Sequence, residues 1–271
     1  MPLSVSLDVA LRDRLVMHLV ERVNAVCMSG DPFPHVVVPG FFPDDTYQAM
    51  LDLLPAPECY EPFHYHKHHT GDGTSNRQRF CFGNEWLLKL PAREQSLWLA
   101  VRSALGSPGL KRAVFQKLAP GLAFRYGCPA SDAADLNGYA LPELFRETAG
   151  YRIAPHPDTR KKVVTMQIAL PADESQQAFG TEFYRRSFHP SHWLREPRGF
   201  ETVKTMPFLP NTAYAFVVLN ALSLSSWHGR SSLSNVGKAV RNTILNIWYE
   251  RAENGNRELV EEYGTGQRRA A

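Results

Sequence analysis

The chain has 271 residues, 44% hydrophobic and 21% charged, as expected of a soluble globular protein large enough to fold without disulfides or a structural metal. A formal charge of +3 excludes the concentrated basic stripe of a dedicated nucleic-acid binder, yet leaves room for a local basic patch facing an anionic substrate. The cysteines Cys27, Cys59, Cys81 and Cys128 are scattered and form no CxxC pair, which argues against a zinc ribbon or a disulfide scaffold and suits a reducing cytoplasm.

The N-terminal run MPLSVSLDVALRDRLV interleaves charged and apolar residues, unlike a signal peptide. No stretch approaches the run of about 18 apolar residues that marks a membrane span. A soluble, cytoplasmic protein with no membrane partner is expected.

Residues 8–27 place Leu11, Leu15, Leu19 and Val23 at helical spacing, so an amphipathic helix is predicted. His35, Val36, Val37 and Val38 form a short strand signal closed by Pro39 and Gly40, and Pro43 starts a second helix through residue 54. Residues 55–80, rich in Gly, His and Pro, read as a loop, followed by helices near 84–105 and 109–118. From about residue 138 the texture changes. Short runs rich in Val, Ile, Thr, Phe and Tyr occupy 151–154, 163–170, 181–184, 201–206, 213–219, 224–227 and 243–249. Strands at this rate, punctuated by Pro and Gly, predict an antiparallel sandwich or barrel. The expected organisation is one catalytic unit over 1–252, its β core at about 138–250, and a loosely ordered tail over 253–271.

The chemistry lies in the segment YRIAPHPDT, where His156 and Asp158 stand two apart at a strand end. In extended backbone, residues i and i+2 point to one side, so both can reach one ion. His228, in the triplet Trp-His-Gly at the end of a later predicted strand, supplies a third ligand. Two histidines and one carboxylate with the remaining positions open suit a non-haem Fe(II) oxygenase. Each part is weak by itself: an isolated HxD is common, and His228 has nine other histidines as competitors.

Arg241 opens the strand RNTILNIWY. An arginine entering a buried strand is costly unless it meets an anion, and its planar fork suits a carboxylate; Thr243, on the same face, can add a hydroxyl bond. A surface or interface salt bridge is the competing explanation.

The ordered set of HxD, distal His, then Arg with Thr two later resembles the 2-oxoglutarate and Fe(II)-dependent oxygenase superfamily. It is most similar to the branch of prolyl 4-hydroxylase-like enzymes, over roughly residues 138–250. The resemblance implies a mainly β fold, a double-stranded β-helix (jelly roll), with an α-helical N-terminal half packed on it. It implies His156, Asp158 and His228 as catalytic iron ligands, and 2-oxoglutarate and O2 as co-substrates. By the same resemblance Arg241, Thr243 and Tyr151 hold the 2-oxoglutarate. Decarboxylation of 2-oxoglutarate to succinate and CO2 would be coupled to substrate oxidation. Prolyl hydroxylases often carry Lys where this chain has Arg241, which weakens any transfer of peptidyl-proline specificity. Asp158 disfavours halogenation, because related halogenases carry a small residue there.

Lys162, Arg77 and Arg79 are expected to reach the substrate, with Arg185, Arg186, Arg195, Arg198 and Arg230 at the mouth; the competing reading of the 159–162 run is a solvated turn. The cluster of His64, His66, His68 and His69 carries Lys67 and no carboxylate or cysteine, and reads as a rim loop rather than a second metal site. His189 and His192 read as lid or surface residues, and Trp193, Trp227 and Phe216 as core or pocket wall. The expected partner is a small, polar and possibly anionic molecule; oligomeric state has no sequence signal. Three alternatives stay open: a jelly-roll metal-dependent isomerase or hydrolase, a non-catalytic ligand-binding sandwich, and, within the oxygenases, a protein-residue hydroxylase.

Overall fold

The structure is a computed structural model and describes residues 6–63, 75–231 and 240–263. The N-terminal part is helical. Helix α1 (Val9–Ala25) starts where the Asp8 carboxylate accepts the Leu11 N–H at 2.9 Å, and it buries Leu15, Leu19 and Val23 along one face. Strand β1 (His35–Pro39) leads into α2 (Asp44–Asp52), whose first turn carries Asp44 and Asp45 at the positive end of the helix dipole.

The expected helix over 84–105 is two helices, α3 (Asn84–Leu87) and α4 (Ala92–Gly106). Pro91 lacks an N–H and stands at the N-cap of α4, which forces the break. Helix α5 (Pro108–Lys117) is capped by the Ser107 hydroxyl. A further helix, α6 (Ala119–Tyr126), closes on Gly127, whose φ of +65° is the left-handed conformation glycine adopts without strain. Helices α1, α4 and α5 pack on one another, and α4 also packs on the sheet at β4 (Tyr139–Glu147). Trp98 of α4 is fully buried and stacks on Phe82 at 5.4 Å; burial of such a side chain stabilises by about 3 kcal/mol.

The remaining strands are β2 (Glu61–Pro62), β3 (Arg77–Cys81), β5 (Ile153–His156), β6 (Lys162–Ala169), β7 (Thr181–Arg186), β8 (Phe200–Met206), β9 (Thr212–Val217), β10 (His228–Arg230) and β11 (Arg241–Tyr249). They form a seven-stranded sheet in the order β1-β9-β6-β11-β4-β3-β2 and a four-stranded sheet in the order β5-β10-β7-β8. Neighbours are antiparallel throughout. From β4 to β11 the chain crosses between the sheets repeatedly, so that β9-β6-β11-β4 faces β5-β10-β7-β8. That is a jelly roll, with β1 added at one edge and β3 and β2 at the other. Phe33, Phe183 and Phe216 pack between the sheets, with Phe33 and Phe183 centroids 4.5 Å apart.

Three further expectations are corrected. The loop expected over 55–80 contains β2 and β3, which lengthen the large sheet beside β4. The strand expected over 224–227 is a turn: the Ser226 N–H and hydroxyl both bond the Leu219 backbone, folding the chain from β9 into β10. The tail expected to be loose contains α7 (Arg257–Tyr263), docked through fully buried Leu259, with the Tyr263 hydroxyl donating to the Ser103 carbonyl at 2.8 Å. The histidine cluster of 64–69 lies outside the described residues.

Candidate metal centre and anion clamp

His156 ends β5 and His228 begins β10, and the two are direct cross-strand partners. Their rings lie 4.4 Å apart between centroids. The close approach depends on Gly229: a Cβ there would stand 2.7 Å from the Ile153 carbonyl oxygen of β5. Each histidine is oriented by its own chain, His156 Nδ1 at 3.0 Å from the Ala154 carbonyl and His228 Nδ1 at 2.9 Å from the Ser226 carbonyl. A carbonyl can only accept, so each Nδ1 carries the proton and each Nε2 keeps a lone pair for a metal.

Asp158 completes the set, with one ligand atom from each residue lying within 4.8 Å of the others. Its Oδ2 accepts from the Thr165 hydroxyl at 2.7 Å and lies 3.9 Å from His228 Nε2; its Oδ1 accepts from Lys162 Nζ at 2.6 Å. Burial lowers the proton affinity of both imidazoles, and pushes His228 down to about 4. Burial pushes Asp158 up, but Lys162, His228 and Thr165 together hold it well below the usual carboxylate range. At neutral pH the site therefore presents two neutral imidazoles and one carboxylate, the protonation state a divalent metal requires.

Next to this triad lies a second construction. Arg77, Glu147 and Arg241 are register partners on β3, β4 and β11, forming a row across three adjacent strands. Arg241 Nη1 pairs with Glu147 Oε2, its Nε donates to the Phe179 carbonyl at 2.9 Å, and its guanidinium lies 4.6 Å from the Phe208 ring. Arg77 Nε sits 3.1 Å from the other Glu147 oxygen. From the facing sheet, Arg230 donates to the Phe179 and Gly180 carbonyls. Burial pushes the Glu147 carboxyl up, but Arg241, Arg77 and Arg230 outweigh it and hold the group ionised. Burial, with Arg241 nearby, lowers Arg230 to about 10.

Among the described residues four buried donors in this region make no hydrogen bond: Arg241 Nη2, Gln167 Nε2, Arg230 Nε and Arg77 Nε, the last 3.1 Å from Glu147 as an ion pair. Arg241 Nη2 has no hydrogen-bond partner among the described residues. Gln167 accepts at Oε1 from the Tyr214 hydroxyl (2.6 Å) and the Thr181 hydroxyl (3.2 Å), while its Nε2 likewise lacks an acceptor. An orphaned buried donor costs about 1–3 kcal/mol. Metal ligands and orphan donors line one cleft. A ligand with an anionic acceptor at one end and metal-binding oxygens at the other satisfies both ends, which 2-oxoglutarate does. The donor set of the triad, imidazole and carboxylate with open positions, fits Fe(II).

Most of the residues predicted from sequence meet here. His156, Asp158 and His228 form the triad, and Arg241, Thr243 and Tyr151 line the same cleft, as do Lys162 and Arg77. Phe216 forms part of its wall. Lys162 does not project freely toward a substrate, because Asp158 holds its ammonium. Arg79 is corrected: it pairs with Glu143 at 3.4 Å, is partly exposed, and does not line the cleft. Trp193 is corrected from core to surface, being 54% exposed. Of the arginines expected at the mouth, Arg230 is buried within the cleft. Arg185 and Arg198 instead make exposed pairs with Asp31 and Glu196, and Arg186 lies over Trp227.

Sequence reasoning missed Glu147, Gln167 and Tyr214. Two signals were available. A buried Arg241 calls for a carboxylate on a neighbouring strand, and Gln167 stands two after Thr165, hence on the face that bonds Asp158.

No family model matches the chain, and no curated protein matches it. Solved structures resemble it in fold. The non-heme alpha ketoglutarate dependent epimerase SnoN from nogalamycin biosynthesis is 16% identical, with TM-score 0.47, covering 94% of this chain and 93% of its own. A prolyl-4-hydroxylase of Pseudomonas putida is 12% identical with TM-score 0.46, covering 88% of this chain and 99% of its own. HygX of Streptomyces hygroscopicus, solved with nickel and 2-oxoglutarate bound, is 11% identical with TM-score 0.43, covering 79% and 82%. Among the described residues no helix is long and apolar enough to cross a membrane.

Proposed function

We propose that the chain is an Fe(II)- and 2-oxoglutarate-dependent oxygenase that oxidises, most simply by hydroxylation, a small polar molecule. The observation that supports this best is the sharing of one cleft by a two-histidine, one-carboxylate triad and a buried arginine with an unspent donor. A metal-dependent isomerase or hydrolase that uses no 2-oxoglutarate, or a non-catalytic binder, has no use for that donor. When bound, iron and 2-oxoglutarate together supply the oxidising chemistry.

The chain's own part is positioning. His156 and His228 hold the metal through Nε2, fixed by their Nδ1–H bonds to Ala154 and Ser226. Asp158 supplies the carboxylate, and the Thr165 hydroxyl fixes its rotation. Arg241 and Gln167 donate to the distal carboxylate of the co-substrate, and Thr243 and Tyr151 complete that end. Glu147 keeps the Arg241 guanidinium aimed across the sheet. Phe216, whose ring lies 4.7 Å from that of His228, walls the metal from water.

The test is anaerobic addition of Fe(II) and then 2-oxoglutarate, watching for a visible charge-transfer band, followed by succinate release in air. The band is expected in the wild type and in His189→Ala, an exposed control, and is expected to vanish in His156→Ala. Its absence from the wild type, or its persistence in His156→Ala, would overturn the assignment.

A further inference from the structure

The arginine cluster holds more positive charge than a 2-oxoglutarate clamp uses. Arg77, Arg230 and Arg241 are buried around one carboxylate, Glu147. The distal carboxylate of 2-oxoglutarate cancels one of the two surplus charges, and one remains in a space poorly screened by water. The three arginines are not equivalent. Arg230 holds two backbone carbonyls through Nη1, with its buried Nε left without an acceptor among the described residues, and Arg241 is given to Glu147, the Phe179 carbonyl and the co-substrate. Among the described residues Arg77 meets a protein acceptor only as the ion pair of its Nε with Glu147, at 3.1 Å. Neither of its Nη groups makes a hydrogen bond among the described residues, and Arg77 lines the cleft.

Arg77 is also held in place for a ligand. Its guanidinium lies 4.2 Å from the Phe145 ring, 5.2 Å from Phe63 and 5.3 Å from Tyr151, so the fork is fixed before anything binds. It stands on β3, the strand added beside the jelly roll, on the far side of Glu147 from Arg241. It lines the same cleft as the metal ligands.

Resting on the oxygenase reading above, we infer that the primary substrate is a small monocarboxylate and that Arg77 binds its carboxylate with the two free Nη groups. A planar carboxylate matches the guanidinium fork, and a single negative charge matches the single surplus positive one; a phosphate dianion matches neither. This anchor holds one end of the substrate beside the metal site and apart from the co-substrate's own carboxylate.

The experiment uses the full chain loaded with Zn(II) and saturating 2-oxoglutarate, in which no turnover occurs. Acetate, benzoate and 3-phenylpropionate, each beside its primary amide, are read by saturation-transfer NMR, and 2-oxoglutarate binding is read separately by calorimetry. At least one acid is expected to bind about tenfold or more tightly than its amide. Arg77→Gln is expected to remove that preference and Arg77→Lys to restore part of it. In both variants 2-oxoglutarate affinity is expected to change by less than about threefold, since Arg241 and Gln167 keep their donors.

Equal binding of acid and amide, binding of none of the three acids, or an acid preference that survives in Arg77→Gln overturns the inference. So does a tenfold or greater loss of 2-oxoglutarate affinity in Arg77→Gln, which assigns Arg77 to the co-substrate (about 1.4 kcal/mol). If Arg77→Gln fails to fold, Arg77→Lys decides: its acid preference must be weaker than that of the wild type. Failure of the wild type to bind 2-oxoglutarate at all defeats the oxygenase reading itself, whereas binding it without acid preference defeats only the role of Arg77.

Discussion

Replacing Arg241 by Met separates the two things that residue does. The guanidinium is 3% exposed, pairs with Glu147, bonds the Phe179 carbonyl at 2.9 Å, and leaves Nη2 without an acceptor among the described residues, the donor proposed for the co-substrate. A hydrogen bond to a charged partner contributes about 1.5–3 kcal/mol, so 2-oxoglutarate should dissociate about 10- to 100-fold more readily. Folding stability should fall as well, because Glu147 loses one of its two adjacent cations. Breaking a buried pair costs about 3–5 kcal/mol. The low end applies here, since Arg77 stays 3.1 Å from the other Glu147 oxygen. Adding Glu147→Gln leaves the buried Arg77 and Arg230 with no carboxylate, so the double variant should regain neither stability nor affinity. Calorimetric titration with 2-oxoglutarate on the Zn(II) protein and urea denaturation read the two quantities independently. A double variant that recovers 2-oxoglutarate binding, or an Arg241→Met protein with undiminished affinity, would refute the role given to Arg241.

Three other outcomes follow from the geometry. Burial holds His228 near 4 against an ordinary 6.5, so metal-free protein should lose stability as pH falls from 6.5 toward 4. That loss amounts to about 3 kcal/mol at 1.36 kcal/mol per unit. The unfolded chain takes up the proton first; thermal melts of the wild type against His228→Gln should therefore converge at acid pH, and a wild-type melt flat across that window would contradict the assignment. Gly229→Ala should cost about tenfold or more in Zn(II) affinity by forcing β5 away from β10, measured against Gly30→Ala, where an added Cβ meets nothing within 4 Å. Thr165→Val removes the hydroxyl that fixes Asp158 at 2.7 Å and should weaken Zn(II) binding by about 10- to 100-fold in competition with a chelator, with little change in Tm.

The legible parts of this chain are those whose logic is local. His156 and Asp158 could be read because a strand repeats every two residues, and α1 because its buried leucines recur at helical spacing. Strand β4 was hidden by Pro142 and by Glu143 and Glu147, residues that argue against an interior strand. Pro142 stands opposite Asn246, and the two glutamates are neutralised by arginines of β3. Strand β3 was hidden for the reciprocal reason, since Arg77 and Arg79 read as loop polarity until their carboxylate partners on β4 are known. Neither strand is intelligible without the other. The clamp was half-legible in the same way: Arg241 announced an anion, but the carboxylate that positions it lies on a strand the local pattern concealed.

Strand β10 shows how three residues tie the two halves of the site together. His228 and Arg230 are two apart and both face the cleft, one toward the metal ligands and the other toward the clamp. Gly229 between them lets β5 approach closely enough for His156 to meet His228. On the facing sheet, Asp158's partner Thr165 and the clamp donor Gln167 are likewise two apart on β6. Two strands on opposite sheets thus span the same distance with the same period, metal end against metal end and clamp end against clamp end. A one-residue slip of either strand would turn both of its functional side chains out of the cleft together. On the proposed function, the separation between metal and clamp, and with it the length of co-substrate the site accepts, follows the register of these two strands. Substitutions that lengthen or shorten the connections to β6 and β10 should leave 2-oxoglutarate selectivity over shorter and longer keto-diacids unchanged, as competition binding on the Zn(II) protein would read; a shift in chain-length preference would place that control in the loops instead.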